Sequence, residues 1–446
     1  MKRIFIVIVL LTVISNYSMA TTEDNLHWFK DAKFGLFIHW GLYSQTAGEW
    51  KGHPTEGGEH FMLYERIPLK EYATIAKDFN PVKFDAKKWV RAAKHAGMKY
   101  LVYTTKHHDG FCMFDSQYTD FSISRCAFKE HPKADVAKYV FEAFRKEGFM
   151  TGAYFSKPDW HNQDYWWDYF ATPNRNVNYK IERHPEKWEA FKTYTHNQIG
   201  ELMSNYGTID ILWLDGGWVS PRNNQDIDMT QIAAMARAKQ PGLLVVDRTI
   251  HGKYENYQTP EQKIPEHQLP YPWESCVTLT TDWGWVKNPV YKTPNRIISI
   301  LMEVVAKGGN LLLGVGPTAE GLIEQPTVKR LQEIGRWMQK NGKAIYHTRI
   351  TPNYHCGNVW FTADKNGRTL YALYALPEGE TLPAVIEWEG NVPERGTSVR
   401  LLSTGQRMKW IERDGKVAVT LPAKLAGSTE PIALQFDTPL PKQNKK

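Results

Sequence analysis

The chain has 446 residues and a formal net charge of +7, with basic and acidic residues interspersed along it. This length exceeds one ordinary hydrophobic core and indicates a large domain followed by a smaller one. Apart from a basic cluster at residues 442–446, no basic stripe is present, which argues against a nucleic-acid partner.

The first 20 residues have the pattern of a secretory signal peptide. Lys2 and Arg3 precede an apolar run over residues 4–14, and the small residues Ser18 and Ala20 suit cleavage by a signal peptidase. The run is too short to span a bilayer as a helix. We therefore expect a mature chain that begins at Thr21, is periplasmic or secreted, and does not insert into a membrane.

Apolar runs alternate with amphipathic segments up to about residue 348. The runs predict buried parallel strands over residues 34–40, 100–105, 150–156, 209–215, 243–248 and 310–315. The segments between them predict helices over residues 85–95, 134–146, 188–206, 230–239 and 296–307. Repeated strand–helix units favour an α/β fold of the (β/α)8-like TIM-barrel type over residues 21–348.

After Tyr346 the pattern changes to short, turn-bounded and partly alternating runs. These predict strands over residues 360–362, 369–376, 384–388, 399–402, 416–421 and 432–436. We therefore expect a C-terminal antiparallel β-sandwich over residues 349–446.

Polar side chains concentrate where the predicted barrel strands end. Active sites of such barrels form at the carboxyl ends of the strands, so these side chains are expected to share one cavity. They are His39, His107, His108, Asp109, Tyr154, Ser156, Asp215 and Arg248.

Asp215 ends an apolar run between Trp213 and Trp218, and two glycines follow it directly. Glycines allow a ligand or another backbone to approach closely. Indole faces beside a carboxylate suit a sugar, whose apolar face stacks on the ring while the acid meets the anomeric carbon. The chain's 17 tryptophans also favour a carbohydrate ligand. The alternative is a strand-end aspartate that caps the following turn.

Other catalytic chemistries have less support. His107 and His108 are adjacent, so on a strand they would point to opposite faces and would not bind one ion together. The chain has no HExxH, GxSxG or phosphate-binding glycine pattern, and its four cysteines form no CxxC pair. We therefore predict no metal and no cofactor.

A pair of carboxyl groups remains. Retaining glycoside hydrolysis needs one carboxylate as nucleophile and a second carboxyl group as acid and then base. Asp215 is the candidate nucleophile. Glu274 follows a tryptophan in an apolar stretch, where desolvation would raise its pKa as a proton donor requires. Glu261, Asp159 and Asp282 are alternatives for the second role.

Over roughly residues 25–350 the sequence resembles the α-L-fucosidases of glycoside hydrolase family 29. The motifs that carry this resemblance occur in family order at residues 34–41, 48–50, 106–111, 213–215, 257–261, 273–274, 283–285 and 310–317. Two positions depart from the family pattern. Gly314 stands where the family often has Asn, and Glu255-Asn256 stands where an Asp commonly precedes the aromatic residue.

The resemblance implies a retaining, exo-acting α-L-fucosidase that acts on fucosylated oligosaccharides or glycoconjugates without a metal. It implies Asp215 as the nucleophile and Glu274 as the acid/base. It also implies fucose contacts for His39, Glu49, Trp50, His107, His108, Tyr154, Trp213, Arg248 and Trp283.

Two other functions fit the same residues. One is a non-catalytic fucose- or glycan-binding protein, which the presence of two candidate carboxylates disfavours. The other is a related barrel glycosidase that acts on L-galactosides, which differ from fucosides only at the 5-methyl group. Residues 51–67 and 162–184 are expected to border the leaving-group site. The aromatic candidates there for binding a second sugar are Trp166, Trp167, Tyr169 and Tyr179.

Overall fold

The computed structural model describes residues 20–56, 58–167 and 175–439. Nearly all of the predicted signal peptide therefore lies outside the described residues, as do Tyr169 and the basic cluster at residues 442–446. Within the described ranges, no helix is both long enough and apolar enough to cross a membrane.

In the described residues between Thr22 and Asn341, nine strands and ten α-helices follow one another, mostly in alternation. The strands are β1 (Phe34–Ile38), β2 (Glu49–Trp50), β3 (His53–Pro54), β4 (Tyr100–Lys106), β5 (Met150–Ser156), β6 (Ile211–Asp215), β7 (Leu244–Asp247), β8 (Glu274–Thr278) and β9 (Asn310–Val315). The helices are α1 (Thr22–Ala32), α2 (Tyr43–Thr46), α3 (Phe61–Tyr64), α4 (Leu69–Tyr72), α5 (Ala86–Ala96), α6 (Val136–Lys146), α7 (Pro185–Asn205), α8 (Met229–Lys239), α9 (Pro294–Ala306) and α10 (Gln325–Asn341).

Seven of these strands form a parallel sheet in the order β7-β6-β5-β4-β1-β9-β8. An extended segment, residues 256–262, lies between its two edge strands. On one side Asn256 donates its N–H to the Val245 carbonyl of β7 at 2.9 Å. On the other side Glu261 forms a parallel bridge with Cys276 of β8. This segment takes the eighth strand's place, so the prediction of a (β/α)8-like barrel is confirmed with one irregular member.

Alternate residues of each barrel strand point inward. In β6, Ile211 and Trp213 belong to an interior cluster, whereas Leu212 and Leu214 pack in the layer between sheet and helices. The period of two along a strand places Asp215 on the same inward face as Trp213, at the carboxyl end of β6. The carboxyl ends of parallel strands meet at one rim of the barrel.

A second sheet follows and is entirely antiparallel. Its strands are β10 (His355–Cys356), β11 (Val359–Ala363), β12 (Thr369–Tyr374), β13 (Val385–Glu389), β14 (Val399–Leu401), β15 (Arg407–Arg413), β16 (Lys416–Thr420) and β17 (Ile432–Asp437). The sheet folds over its own core, because the Trp388 ring lies 5.8 Å from Phe361 and 5.7 Å from Phe436. The predicted sandwich is confirmed. The sequence analysis does not predict strand β15, because only Met408 of its seven residues is buried.

Side chains from the C-terminal sheet pack on the last barrel helices. Trp337 of α10 donates its indole N–H to the Pro431 carbonyl at 2.7 Å, and Thr362 of β11 donates to the Ala344 carbonyl at 2.8 Å. Tyr371, Leu373 and Ala433 join the barrel's outer core. The second sheet therefore covers one flank of the barrel.

We predict that Gly335→Ala lowers the stability of the protein. A Cβ at this helical position would lie 1.7 Å from the His95 carbonyl oxygen of α5, so the two helices must separate. Overpacking of this kind costs about 2 kcal/mol, which exceeds the gain in helix propensity of roughly 1 kcal/mol. The matched control is Gly200→Ala in α7, whose nearest neighbour, Met235 Sδ, lies 3.9 Å away. Thermal melting should show a lower midpoint for the first variant only; equal midpoints would contradict this packing.

Candidate active site

A cavity opens at the carboxyl-end rim of the barrel and encloses about 740 Å³, including its mouth. Eight of the residues predicted from the sequence line it: His39, His107, His108, Tyr154, Trp213, Asp215, Arg248 and Trp283. Five predicted residues are not among its walls: Glu49, Trp50, Asp109, Ser156 and Glu274. The structure adds Glu59, His60, Arg175, Trp218 and the alternative acid Glu261.

Asp215 is held by donors on both carboxylate oxygens. Oδ1 accepts from Arg248 Nη1 at 3.0 Å and from the Gly216 N–H at 2.7 Å, and Oδ2 accepts from the Tyr154 hydroxyl at 2.8 Å. Burial alone would raise the pKa of Asp215, but the charge of Arg248 and the other donors hold it well below its usual range. Asp215 is therefore an ionised, fixed carboxylate that faces the cavity.

Glu261 shares a guanidinium with Asp215. Arg248 bonds Asp215 through Nη1 and Glu261 through Nη2, so the two carboxylates lie side by side within the span of one side chain. The second oxygen of Glu261 accepts the indole N–H of Trp283 at 3.0 Å. Asp215 and Glu261 are thus the carboxylate pair that the cavity brings together.

Glu274 lies elsewhere, which corrects the prediction that it faces Asp215 across the cavity. It is the first residue of β8 and pairs with Asn310, the first residue of β9, so it sits at the amino-end side of the barrel interior. Its carboxyl group is fully buried and accepts from the Tyr100 hydroxyl at 2.6 Å and from the Trp213 indole N–H at 3.1 Å. Burial raises its pKa to about 7.

Glu49 and Trp50 also do not line the cavity, contrary to the prediction that they contact fucose. They form half of the short β2–β3 hairpin, where Glu49 pairs with Lys287 at 2.7 Å and Trp50 packs on Phe61. The acidic and aromatic positions that do reach the cavity are ten residues further on, at Glu59 and His60. Glu59 is buried, and burial together with the charges of Asp282 and Glu261 raises its pKa to about 8. It is therefore a neutral acid at neutral pH.

Four histidines supply polar nitrogen atoms to the cavity. Burial lowers the pKa of His39 and of His107 to about 3, and it lowers those of His60 and His108 too, so the rings are neutral. His39 Nδ1 and His107 Nδ1 have no hydrogen-bond partner among the described residues. Neutral imidazoles with free nitrogen atoms suit the hydroxyl groups of a bound ligand.

His107 and His108 both face the cavity, contrary to the expectation that they point apart. Strand β4 ends at Lys106, so the alternation of a strand no longer applies to them. With His60 they form a group whose nitrogen atoms lie within 4.8 Å of one another and could hold a metal ion. However, the rings of His60 and His108 are nearly parallel, 10° apart, so their lone pairs do not converge without rotation. The absence of a catalytic metal stays a prediction.

Trp283 forms one apolar wall of the cavity. Its ring stacks on His39 at 4.7 Å between centroids and lies 5.5 Å from Phe37. A Cβ on Gly314 would lie 2.8 Å from this indole, so the glycine that departs from the family pattern makes room for the ring.

The alternative acid Asp159 has a structural role. It is buried, pairs with Lys106 at 3.1 Å, and accepts the backbone N–H groups of His161 and Asn162. It does not line the cavity.

Comparison with known proteins places the chain in a family. The family model described as alpha-L-fucosidase matches residues 14–343. The plasma α-L-fucosidase of Pongo abelii is 30% identical over 89% of this chain and 86% of its own length. The chain belongs to the α-L-fucosidase family of glycoside hydrolases. The family resemblance and the expectation of a glycoside hydrolase are confirmed.

Solved structures agree with this assignment. The α-L-fucosidase isoenzyme 1 from Paenibacillus thiaminolyticus superposes with a TM-score of 0.77 at 31% identity, over 93% of this chain and 99% of its own. A GH29 α-L-fucosidase from Bacteroides thetaiotaomicron, trapped as a covalent intermediate with 2-fluoro-fucosyl fluoride, has a TM-score of 0.79 at 26% identity, over 94% and 97% of the two chains.

The burial of Glu274 predicts a pH-dependent stability difference between the protein and Glu274→Gln. Because the folded-state pKa lies near 7 and the ordinary value is 4.5, the unfolded chain releases this proton first. Stability from this group is therefore complete below about pH 4.5 and is lost as pH rises to about 7. Glutamine has nearly the same shape and does not titrate. Its carbonyl oxygen can accept the Trp213 N–H, and its NH2 group can donate to the Tyr100 hydroxyl oxygen.

Melting temperatures of both proteins between pH 4.5 and 8 test this. The stability of Glu274→Gln relative to the parent should rise across that window, by on the order of 3 kcal/mol. A constant difference would mean that Glu274 is already ionised in the folded protein.

Proposed function

We propose that this chain hydrolyses terminal α-L-fucose from glycans with retention, using Asp215 as nucleophile and Glu261 as acid/base. The observation that carries the proposal is the single guanidinium of Arg248, which bonds both carboxylates. Glu261 takes the role that the sequence assigned to Glu274, because Glu274 is buried beneath Trp213 rather than exposed in the cavity.

The reaction proceeds in two displacements. In the first, Asp215 attacks the anomeric carbon, the bond to the leaving oxygen breaks, and Glu261, which enters this step as a carboxylic acid, gives its proton to that oxygen and becomes a carboxylate. In the second, Glu261 takes a proton from water, the water oxygen bonds to the anomeric carbon, and the ester to Asp215 breaks. Two inversions at one carbon give net retention.

The surrounding residues position these groups. Tyr154 and Arg248 each hold one oxygen of Asp215, which fixes the direction of attack. The neutral histidines and the protonated Glu59 suit the hydroxyl groups of fucose, and the apolar wall of Phe37 and Trp283 suits its methyl group. Buried side chains, among them His39, Tyr154 and Trp213, wall the inner part of the cavity, which suits a terminal sugar and supports an exo-acting enzyme.

The substrates we infer are fucosylated oligosaccharides or glycoconjugates met outside the cytoplasm. The inference of export rests on the signal-peptide pattern of the first 20 residues. Relatives named as plasma and tissue α-L-fucosidases are consistent with an exported enzyme.

Asp215→Asn should lower kcat/KM for an aryl α-L-fucoside by roughly a thousandfold or more, because the amide cannot form the covalent intermediate. The control is Asp414→Asn, an exposed turn residue at positive φ, where asparagine is well tolerated. Initial rates of both variants test the assignment. Near-normal turnover by Asp215→Asn would contradict the assignment of Asp215 as nucleophile. Tight fucose binding by the parent protein without any turnover would instead indicate a non-catalytic binding protein.

Glu261→Ala should slow the hydrolysis of fucosides with poor leaving groups far more than that of activated aryl fucosides. A poor leaving group needs a proton from the general acid in order to depart, whereas an activated phenol departs without it. Azide should restore turnover on activated substrates and yield an α-L-fucosyl azide, because the anion attacks the β-linked intermediate from the opposite face and needs no general base. Glu59→Ala tests the other acid in the cavity, and Glu274→Gln tests the buried one. Azide rescue of either of these variants, without rescue of Glu261→Ala, would move the acid/base role away from Glu261.

A further inference from the structure

A second arginine lies toward the mouth of the cavity. The Arg175 guanidinium lies over two aromatic rings, 5.6 Å from the centroid of Tyr64 and 5.4 Å from that of Trp218. It donates a hydrogen bond to the Tyr64 hydroxyl. Tyr64 is 42% exposed, whereas Asp215 is 7% exposed, so Arg175 lies on the solvent side of the reacting carboxylates.

The backbone around Arg175 is tied to the cavity wall. Its carbonyl accepts the hydroxyl of Tyr165 at 3.1 Å, and the same hydroxyl accepts the Trp218 indole N–H at 3.1 Å. Arg175 has a φ of 64°, a left-handed conformation that is costly for a residue with a Cβ. Such conformations persist where the surrounding structure holds them, and they are frequent at functional sites.

The two arginines of the cavity differ in charge balance. Arg248 is neutralised by Asp215 and Glu261. Arg175, in contrast, has no carboxylate within 4.0 Å among residues 20–56, 58–167 and 175–439. A guanidinium carries five N–H donors in a planar fork, and Tyr64 occupies only one of them. The Arg175 charge also affects the interior of the cavity. It lowers the pKa of His60, after the larger effects of burial and of His107.

We propose that Arg175, with Tyr64 and Trp218, binds an anionic group on the leaving portion of the substrate, a sulfate ester or a carboxylate. The inference rests on the proposed function, because a fucose with its anomeric carbon at Asp215 directs its leaving group toward the mouth. A planar guanidinium pairs with such an anion through two parallel hydrogen bonds. The two rings hold the fork in place and offer apolar faces to a neighbouring sugar.

Matched pairs of aryl α-L-fucosides test this site. One pair is the 4-sulfophenyl and 4-chlorophenyl fucosides, and the other is the 4-carboxyphenyl fucoside and its methyl ester. For each pair we expect the charged member to have the higher kcat/KM at low ionic strength, by about tenfold. The ratio should fall toward one in 1 M NaCl, where such a charge interaction is screened. The two pairs distinguish a sulfonate-like anion from a carboxylate.

Variants assign the preference to the residue. Arg175→Gln should bring the ratio close to one, and Arg175→Lys should retain part of it, because lysine keeps the charge but lacks the planar fork. The matched control is Arg222→Gln, which removes an exposed arginine outside the cavity and should leave the ratio unchanged.

A ratio near one in the parent protein, or a preference that survives in Arg175→Gln, would overturn the proposed anion site while leaving the fucosidase activity in place. Hydrolysis of none of the four fucosides would overturn the proposed function and this site with it.

Discussion

The geometry of the cavity depends on one cation between two acids. Arg248 bonds Asp215 and Glu261 through its two terminal nitrogen atoms, in a largely buried position. Without it, the two carboxyl groups would share a poorly solvated site with no cation to offset the charge of Asp215. The guanidinium therefore sets the spacing of the pair as well as the charge of Asp215. Tyr154 and Gly216 then complete the coordination of the nucleophile, so Asp215 is oriented before any sugar arrives.

The parallel barrel explains why so much of this site was predictable from the sequence. Apolar strands that end in polar residues indicate the end of the barrel where the active site forms. Because side chains alternate along β6, Trp213 and Asp215 point to the same inward face. Glu274 shows the limit of that reasoning. The sequence analysis predicts no strand at β8, so Glu274 is paired with Asp215 there on chemical grounds alone. Once β8 is known to begin at Glu274, the direction of the strand places it at the opposite end of the barrel.

The sequence predicts that residues 51–67 and 162–184 border the site, and each segment contributes lining residues. It does not predict which residues these are, because loops and short helices have no period to follow. Glu59 and His60 enter the cavity from a one-turn helix, and Arg175 enters from a segment held by Tyr165. Their positions follow from tertiary contacts that no spacing rule contains. The prediction that His107 and His108 lie at the rim agrees with the cavity lining, but strand geometry does not apply to either residue, since β4 stops at Lys106.

The two acids are supported by different kinds of backbone. Asp215 ends a strand of the continuous sheet, where a shift in register would turn every neighbouring side chain around. Glu261 lies on residues 256–262, which are joined to the edge strands by isolated bridges and single backbone hydrogen bonds instead of a regular ladder. A change in the path of that segment would therefore move the proton donor while the nucleophile keeps its place.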